Sequence, residues 1–536
     1  MEHLAHKKKI TIMIAIICSL LFSALNQTTV STALPRIAAD LGGLELYSWV
    51  FTSYMLASTV SATLVGKLSD IYGRKPFIIM GLLIFIAGSF LAGLSADMIQ
   101  LIIYRSVQGL GAGVIITMSF TVIGDLFAPR ERGRWQGVIA GSFGLASVFG
   151  PTLGGYIVDH ADWHWMFWVF LPVGVIALAL IWVMFPATAI KREGVKIDYF
   201  GSFFLTACII SLLLALSWAG QTYAWSSPQI LGLLAGAVLS LLIFIFIERR
   251  AESPVLPLHL FKNSIFTISN TAGFTLGAGM FGAIMYMPIF IQGVTGTSAT
   301  ITGYLMMSMT LSHVLAGIVA GNLITRTGKY KNFAVWGMFI MAGGLALFSL
   351  MNPNTSNLNV IGYMLVFGLG LGIALPVYTL TVQNAVPNSM LGVASSSVNL
   401  FRQLGASVGV TVMGTVMNRR MAIKTEELTN DGIGSADASA ILPPETLEQL
   451  TDPRVLMDPV KLKEIGESLP PELAATLASV VDMLRESLGF SLSGVFLTGA
   501  AVVLAGFVVT IFLEEIPLRT SVKSSPEQEA GALETR

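Results

Sequence analysis

The chain has 536 residues, of which 54% are hydrophobic and only 12% charged, and its mean hydropathy is +0.74. Soluble domains carry about 25% charged residues, so this composition excludes an ordinary soluble domain and predicts a membrane protein. The 31 basic and 31 acidic residues balance, and the basic ones are spread along the chain, which argues against a nucleic-acid partner.

Apolar runs of the roughly 20 residues that a bilayer requires follow one another along the chain. The first begins directly after MEHLAHKKK and continues too far for a cleaved signal peptide, so we predict a retained first helix. The fourteen predicted spans are 10–34, 47–66, 76–96, 98–122, 134–157, 166–186, 199–219, 229–247, 264–290, 301–325, 333–351, 358–386, 391–417 and 488–513.

The loops between these spans predict the orientation. With the N-terminus in the cytoplasm, the inner loops carry eighteen basic residues and the short outer loops only Arg36, as the positive-inside rule requires. Both termini are then cytoplasmic, and the acidic segment 418–487 lies outside.

The outer segment contains a predicted amphipathic helix, because apolar residues recur at three- and four-residue steps from Leu469 to Leu488. This helix would lie on the membrane surface, the arrangement we favour, or cap the transport mouth. The tail from Ser521 is predicted to be disordered.

Two stretches of the first half return in the second. GKLSDIYGRKP at 66–76 matches GNLITRTGKYK at 321–331, and Gly137 corresponds to Gly392, both at an offset of 255 residues. Two parallel six-helix repeats are a transporter architecture with the substrate site between them. The predicted division is an N-terminal bundle, two inserted helices, a C-terminal bundle, an outer loop, a last span and a cytoplasmic tail, at 1–197, 198–250, 251–417, 418–487, 488–513 and 514–536.

Signatures of enzymes are missing from the sequence. It holds no GxxxxGK[ST] loop and no HExxH pair. Cys18 and Cys208 fall within apolar runs and build neither a disulfide framework nor a metal cluster. We therefore predict no catalytic residue, cofactor or metal, and an ion gradient or a partner chain as the energy source of any active transport.

A few polar residues lie where a membrane makes them costly. Arg105 in the fourth span shares a helix face with Gln108, so it is either a functional cation in a polar interior or a structural ion pair. Arg402 and Gln403 repeat this pattern in the thirteenth span. His313, the sole histidine in the middle of a span, is either a proton switch or a satisfied hydrogen-bonding residue. No acid lies mid-span, and Asp70 and Asp125 lie at span ends.

Two glycine-containing stretches are candidates for a gate. GSFGLASVFGPTLGG at 141–155 lets another backbone approach closely, either to form a gate or simply to pack tightly. GKLSDIYGRKP turns at Gly73, and its Asp70 can bind a neighbouring helix terminus or a basic loop such as 130–134. The predicted gating residues are Gly66, Asp70, Gly73, Arg74, Gly137, Gly150, Pro151 and Gly154.

These stretches resemble the signature motifs of the major facilitator superfamily. GKLSDIYGRKP, the RSVQGLG that begins at Arg105 and the glycine-proline fifth span are its marks, and the fifth-span motif marks its antiporters. Fourteen spans with a central two-helix insertion resemble the drug:proton antiporter branch, whose fold is two six-helix bundles. Ala146 replaces the middle glycine of the fifth-span pattern, and His164 the arginine of the family's WRW.

The third departure concerns the first span. The family's LDxT, whose aspartate the resemblance implies in cation recognition or proton coupling, is here Leu25-Asn26-Gln27-Thr28. An asparagine keeps the shape of aspartate but takes up no proton near neutral pH, so coupling lies elsewhere or is weakened. The residues predicted to line the substrate cavity are Asn26, Gln27, Thr28, Ser31, Gln108, Tyr286, Met287, Met306 and Gln403.

Together these features predict a monomeric exporter in a bacterial cell membrane that exchanges hydrophobic or cationic small molecules for protons by alternating access. Methionines in the ninth and tenth spans suit varied apolar substrates, although plain helix packing explains them equally. Two rivals stay open: a dedicated exporter of one antibiotic, lipid or metabolite, and a membrane sensor or scaffold that does not transport. The amide at Asn26 is the feature that keeps the second rival open.

Overall fold

The computed structural model describes residues 5–41, 46–186, 198–220, 222–297, 299–430, 465 and 474–518. Within these ranges the chain is all-α. Its fifteen α-helices, α1 to α15, are His6–Leu41, Tyr47–Tyr72, Arg74–Ala92, Met98–Leu126, Pro129–His160, Trp165–Trp168, Leu171–Met184, Tyr199–Trp218, Pro228–Glu248, Ser264–Ile289, Ala299–Thr327, Lys331–Ser349, Asn357–Asn384, Leu391–Asn430 and Ala474–Ile511. Short 3₁₀ turns cover Leu258–Lys262 and Asn388–Met390, and a π-helical turn extends α10 over Phe290–Val294.

Each predicted span corresponds to a helix, with α6 and α7 sharing the sixth, so the predicted all-α polytopic fold is confirmed. In the described part of the chain, eleven helices are long and apolar enough to cross a membrane. The helices α2, α5 and α14 fall short of that measure. At the junction of the two halves, α2 packs on α14 and α5 packs on α11. The buried residues of these helices include polar ones, such as Thr59, Gln136 and Ser397, which lower the hydropathy of the helices.

Local signals set the helix ends. The side chains of Asp97, Ser227 and Ser356 accept hydrogen bonds from backbone N–H groups in the first turns of α4, α9 and α13. Such caps satisfy donors that have no partner inside the helix. Between α2 and α3 a single residue, Gly73, makes the turn with a φ of 89°, a conformation that only glycine adopts readily.

The helices form two halves, α1–α7 and α10–α15, with α8 and α9 between them as an inserted hairpin. Separate apolar cores fill the two halves; the Phe22 and Phe85 rings pack edge-on at 4.8 Å in the first, and Phe348 and Phe496 at 5.4 Å in the second. Helix α8 contacts both α2 and α14. The hairpin thus lies beside the junction of the two halves.

Helices α14 and α15 extend beyond the predicted spans and pack on each other. The Nε of Arg420 donates to the carbonyl of Phe490 at 3.3 Å, and Lys424 pairs with Glu486 at 3.7 Å. The predicted surface helix is instead the first part of α15, whose Leu477, Val480, Leu484 and Leu488 are buried in the core of the second half. The remainder of the outer segment, 431–464 and 466–473, and the tail from Ser521 lie outside the described residues.

Candidate functional site

A polar cluster lies at the centre of the first half. Asn26 of α1, Ser89 of α3, and Arg105 and Gln108 of α4 are fully buried. The Nη1 of Arg105 donates to Gln108 Oε1 and, at 3.5 Å, to Asn26 Oδ1. Gln108 Nε2 donates to the same Asn26 oxygen at 2.8 Å. We call these four side chains the Arg105 cluster.

Asn26 uses both ends of its amide in this cluster. Its Oδ1 accepts from α4, and its Nδ2 donates to Ser89 Oγ at 3.1 Å. Ser89 in turn donates its hydroxyl proton to the carbonyl of Phe167 at 2.7 Å, so it has only lone pairs to offer Asn26. A carboxylate at position 26 has no proton to donate. The asparagine thus ties α1 to both α3 and α4 in a way that an ionised aspartate does not.

Arg105 is a buried cation without an acidic partner in the described part of the chain. Its Nε and Nη2 atoms are buried and have no hydrogen-bond acceptor, and its guanidinium lies 4.2 Å from the centre of the Tyr54 ring. Cation–π contact compensates part of the lost hydration. A buried donor left unpaired costs about 1–3 kcal/mol, so the cluster has unused capacity to bind an acceptor group.

The second half has its own arginine, Arg402 of α14. Its Nη2 donates to Asn399 Oδ1, and its guanidinium lies 5.9 Å from the centre of the Phe120 ring of α4. The neighbouring Gln403 accepts a hydrogen bond from Thr59 of α2 at 2.7 Å. Arg402 and Gln403 therefore lie at the junction of the two halves, opposite the middle of α2 and in the first third of α14.

His313 and the aromatic and methionine residues lie on α10 and α11. His313 is half-buried, and its Nε2 is buried without a hydrogen-bond partner. The hydroxyl of Tyr286 donates to the carbonyl of Val410 at 2.9 Å, and Met287 is fully buried in the core. Met306 is half-buried against the same core.

The predicted polar residues of α1 divide between two environments. Asn26 belongs to the Arg105 cluster, whereas the hydroxyl of Thr28 lies 3.0 Å from the carbonyl of Ala146 on α5. A Cβ added at Gly150 would lie 1.9 Å from Thr28 Oγ1, so Gly150 serves the packing of α5 on α1. Gln27 is half-buried. The side chains of Ser31 and Pro151 lie outside the described part of the structure, and Gly154 is buried.

A charged network joins the halves at one end of the molecule, the end at which Gly73, Pro129 and Gly328 lie and which we call the basic end. Both Asp70 carboxylate oxygens accept backbone N–H bonds at the start of α14, from Gly392 and Val393, at 3.0 Å each. Arg74 pairs with Asp70 and, at 2.8 Å, with Asp125. Of the two partners predicted for Asp70, the structure shows the helix terminus.

Glycines bring the backbones together beside this network. A Cβ on Gly66 would lie 2.6 Å from the carbonyl oxygen of Gly392, and one on Gly392 would lie 2.2 Å from that of Gly66. We call these contacts, with Asp70, Arg74 and Asp125, the latch. Helices of different halves therefore touch through bare backbone here, and any larger side chain separates them.

The second junction, between α5 and α11, repeats this packing. A Cβ on Gly137 would lie 2.6 Å from the carbonyl oxygen of Gly317, and one on Gly321 would lie 2.3 Å from that of Gly133. Arg130 donates to the carbonyls of Thr325 and Arg326 at the end of α11, at 2.8 and 2.9 Å. The positions related by the repeat, Gly66 with Gly321 and Gly137 with Gly392, thus occupy equivalent junctions.

Outside the helices, His164 contacts its own loop. Its Nδ1 is hydrogen-bonded to the carboxylate of Asp162, and its ring stacks on Trp163 at 3.7 Å between centroids. The hydrogen bond from His164 lowers the pKa of Asp162 below its usual range. Where the family has an arginine, the histidine therefore remains paired with a carboxylate.

Sequence reasoning missed Ser89 and Asn399. Nothing marks Ser89 in a span that is otherwise apolar, because its partner Asn26 lies 63 positions away. The spacing could have predicted Asn399. It precedes Arg402 by three residues, as Arg105 precedes Gln108, and residues three apart share a helix face.

Comparison with known sequences agrees with this geometry. The profile of the family described as Major Facilitator Superfamily matches residues 16–410, most of the chain. The chain belongs to the major facilitator superfamily.

Two curated relatives span nearly the full length of this major facilitator chain. The multidrug transporter protein MdtP of Bacillus subtilis (strain 168) is 39% identical over 97% of this chain and 96% of its own. Multidrug resistance protein 3 of the same organism is 31% identical over 96% of each. The family and these relatives are transporters rather than enzymes, and the chain is accordingly a polytopic membrane transporter.

A solved structure supports the fold. The crystal structure of the human organic anion transporter MFSD10 (TETRAN) is similar with a TM-score of 0.61, over 94% of this chain and 99% of that one, at 14% identity. At that identity the similarity concerns the arrangement of helices alone.

Proposed function

We propose that the chain exports amphiphilic or cationic compounds in exchange for protons, by alternating access between the halves α1–α7 and α10–α15. One observation carries the proposal. In the described part of the chain, hydrogen bonds join the halves at the basic end and at mid-depth, as with Asp70 and Gly392, Arg130 and Thr325, and Thr59 and Gln403. A closed junction at the basic end, of the kind that Asp70 and Arg130 form, is what one state of two rocking bundles requires.

The positive-inside rule supports the orientation of this state. It assigns the basic end to the cytoplasm and both termini to the same side of a bacterial plasma membrane. The latch is then closed on the cytoplasmic side, and the state is the outward-facing one. Because both halves and the junction belong to one chain, a monomer suffices for transport.

Two features support an apolar substrate. The curated relatives are named as multidrug transporters. On α11 of the second half, the side chain of Met306 is only half-buried, and methionine side chains adapt to varied apolar shapes. A broad toxicity panel separates a multidrug exporter from an exporter of one antibiotic, lipid or metabolite.

The proton requires a group other than position 26, since Asn26 does not titrate. His313 is the proposed exchanging group, because its Nε2 has no partner and imidazole is the side chain whose unperturbed titration lies nearest to neutral pH. Asp70 and Asp125 of the latch are the alternatives, and both pair with Arg74.

Export of ethidium from proteoliposomes under an imposed pH gradient tests the proposal. We expect the chain to export ethidium and an uncoupler to stop it. Arg105→Ala removes the cation and its hydrogen bonds to Asn26 and Gln108. We therefore expect it to abolish export while the amount of protein in the membrane stays normal. Arg36→Ala is the matched control, because Arg36 is exposed and pairs with Asp40 on the surface. Full export by the Arg105 variant contradicts the role of the cluster.

The variant Asn26→Asp separates transport from sensing. An aspartate pairs with Arg105 but does not donate to Ser89 unless it is protonated, so we expect it to alter the pH dependence of an existing export activity. Export by the aspartate variant alone, with none by the native chain, overturns the export proposal and favours a sensor or scaffold that does not transport.

A further inference from the structure

Two carboxyl groups meet at the basic end of the inserted hairpin. Asp198 precedes α8, and its Oδ1 accepts a hydrogen bond from the backbone of Gly201 at 2.7 Å. Glu248 is the last residue of α9 and is 4% exposed. Its Oε1 accepts from the backbone of Leu256 at 2.6 Å. Each acid is thus fixed by one oxygen to a backbone donor.

The second oxygen of each acid is buried and has no hydrogen-bond partner. Both oxygens turn toward Gly201: a Cβ added there would lie 2.2 Å from Asp198 Oδ2 and 2.9 Å from Glu248 Oε2. The free oxygens therefore converge on one place that only a glycine leaves open. By contrast, in the latch both carboxylate oxygens of Asp70 accept backbone hydrogen bonds, and Asp125 accepts one from Arg74.

Two ionised carboxylates in this arrangement repel each other, and no donor compensates them. One proton removes one charge and supplies the missing hydrogen bond, so the pair holds that proton jointly. A metal ion would require more ligands than these, and the described residues contain no group of three or more histidine, cysteine or acidic side chains that could hold one. The geometry therefore favours a proton over a metal ion.

The surroundings connect this pair with water and with the latch helix. A cavity of about 510 Å³ adjoins it, lined by Asp198, Arg250 and Glu252 among others, which gives a proton a path to the pair. From α2, the positive charge of Lys67 acts on Glu248. Lys67 follows Gly66, the glycine that packs against α14.

We propose that Asp198 and Glu248 together bind one proton at the base of the inserted hairpin, and that this proton sets the charge that faces Lys67. While the proton is bound, the pair carries one negative charge, and when the proton leaves it carries two. The attraction between the pair and Lys67 then becomes stronger. Helix α8 contacts both α2 and α14. A change in the charge of the pair can therefore affect the contact between α2 and α14 in the latch, and couple it to the proton concentration at the basic end. This binding needs no transported substrate and is independent of the proposed export.

Labelling with dicyclohexylcarbodiimide tests the proposal on the full chain in proteoliposomes, because the reagent modifies protonated carboxyl groups in apolar surroundings. Peptide mass spectrometry locates the label. We expect label on Glu248 or Asp198 that falls about tenfold for each pH unit above the pair's titration. Asp125, which pairs with Arg74, is the internal control and should remain unlabelled.

Variants sharpen the test. Asp198→Asn removes the neighbouring negative charge, so labelling of Glu248 should persist but move to lower pH. Glu248→Gln should abolish the label at that position. Absence of label on both acids of the native chain at every pH, or labelling that does not change with pH, overturns the proposal, and neither result depends on how the variants fold.

Discussion

The two junctions between the halves use the same backbone packing but opposite charges. At the α2–α14 junction the acid Asp70 binds the N–H groups at the start of α14, and at the α5–α11 junction the base Arg130 binds the carbonyls at the end of α11. Helix N-termini carry partial positive charge and C-termini partial negative charge, so each side chain complements the terminus that it meets. At both junctions a charged side chain thus binds a helix terminus of the other half, but the charge is negative at one junction and positive at the other.

The junctions differ in how deeply their charges are buried. The Asp70 and Arg74 side chains are 5% and 7% exposed, whereas Arg130 is exposed. Buried charges that lose a partner are costly, while exposed ones exchange their partners for water. We therefore infer that the α2–α14 junction carries most of the energy that keeps the basic end closed, and that the α5–α11 junction mainly guides the approach.

The largest expected effect is that of Asp70→Asn. The variant removes the charge from the α14 terminus and leaves Asp125 as the acidic partner of Arg74. Breaking a buried pair costs about 3–5 kcal/mol, which shifts the ratio of closed to open molecules by roughly a hundredfold or more. In a chain that carries Ser396→Cys, the rate at which a maleimide labels this cysteine should be higher with Asp70→Asn than without it. The matched control Asp40→Asn, which changes an exposed acid on α1, should leave it unchanged.

Glycine variants test whether the packing at the two junctions is equivalent. Gly392→Ala and Gly321→Ala both place a Cβ within 2.3 Å of a carbonyl oxygen of the other half. Overpacking of this kind costs about 1–3 kcal/mol, and we expect similar losses of ethidium export from both. Gly155→Ala, which meets nothing within 4 Å, is the control. A loss confined to one junction would break the equivalence.

The smallest effect is expected from Arg130→Gln. The side chain is exposed, so its hydrogen bonds to α11 contribute no more than about 1 kcal/mol. The export rate should fall less than in either glycine variant, and high salt should reduce the difference from the native chain further. An effect as large as that of Asp70→Asn would contradict the proposed division between the junctions.

The sequence predicted much of this arrangement because its motifs are local and repeated. GKLSDIYGRKP and its copy identified Gly66 and Asp70, and the glycine at 392 was paired with Gly137 by the repeat. The sequence left Asp70 with two alternative partners, since a charged turn alone does not tell which helix will lie opposite. Only the packing of α2 on α14 decides that.

Contacts between distant residues explain what the sequence did not predict. Asn26 was expected to line a cavity, but the structure buries it in bonds to Ser89 and Gln108, and these partners come from other helices. Likewise, the apolar repeat up to Leu488 suits a membrane surface as well as a neighbouring helix. The long α14 supplied that neighbour, which hydropathy alone could not reveal because α14 is polar beyond residue 417.

The central claim is that Asp70 at the α14 terminus holds the basic end closed. Double electron–electron resonance tests it directly, with spin labels on cysteines replacing the exposed residues Tyr72 and Lys329 in a chain whose Cys18 and Cys208 are serines. We predict one short distance in the otherwise native chain and an added long distance in the Asp70→Asn variant, with Asp40→Asn as the control. Identical distance distributions in all three would contradict the claim.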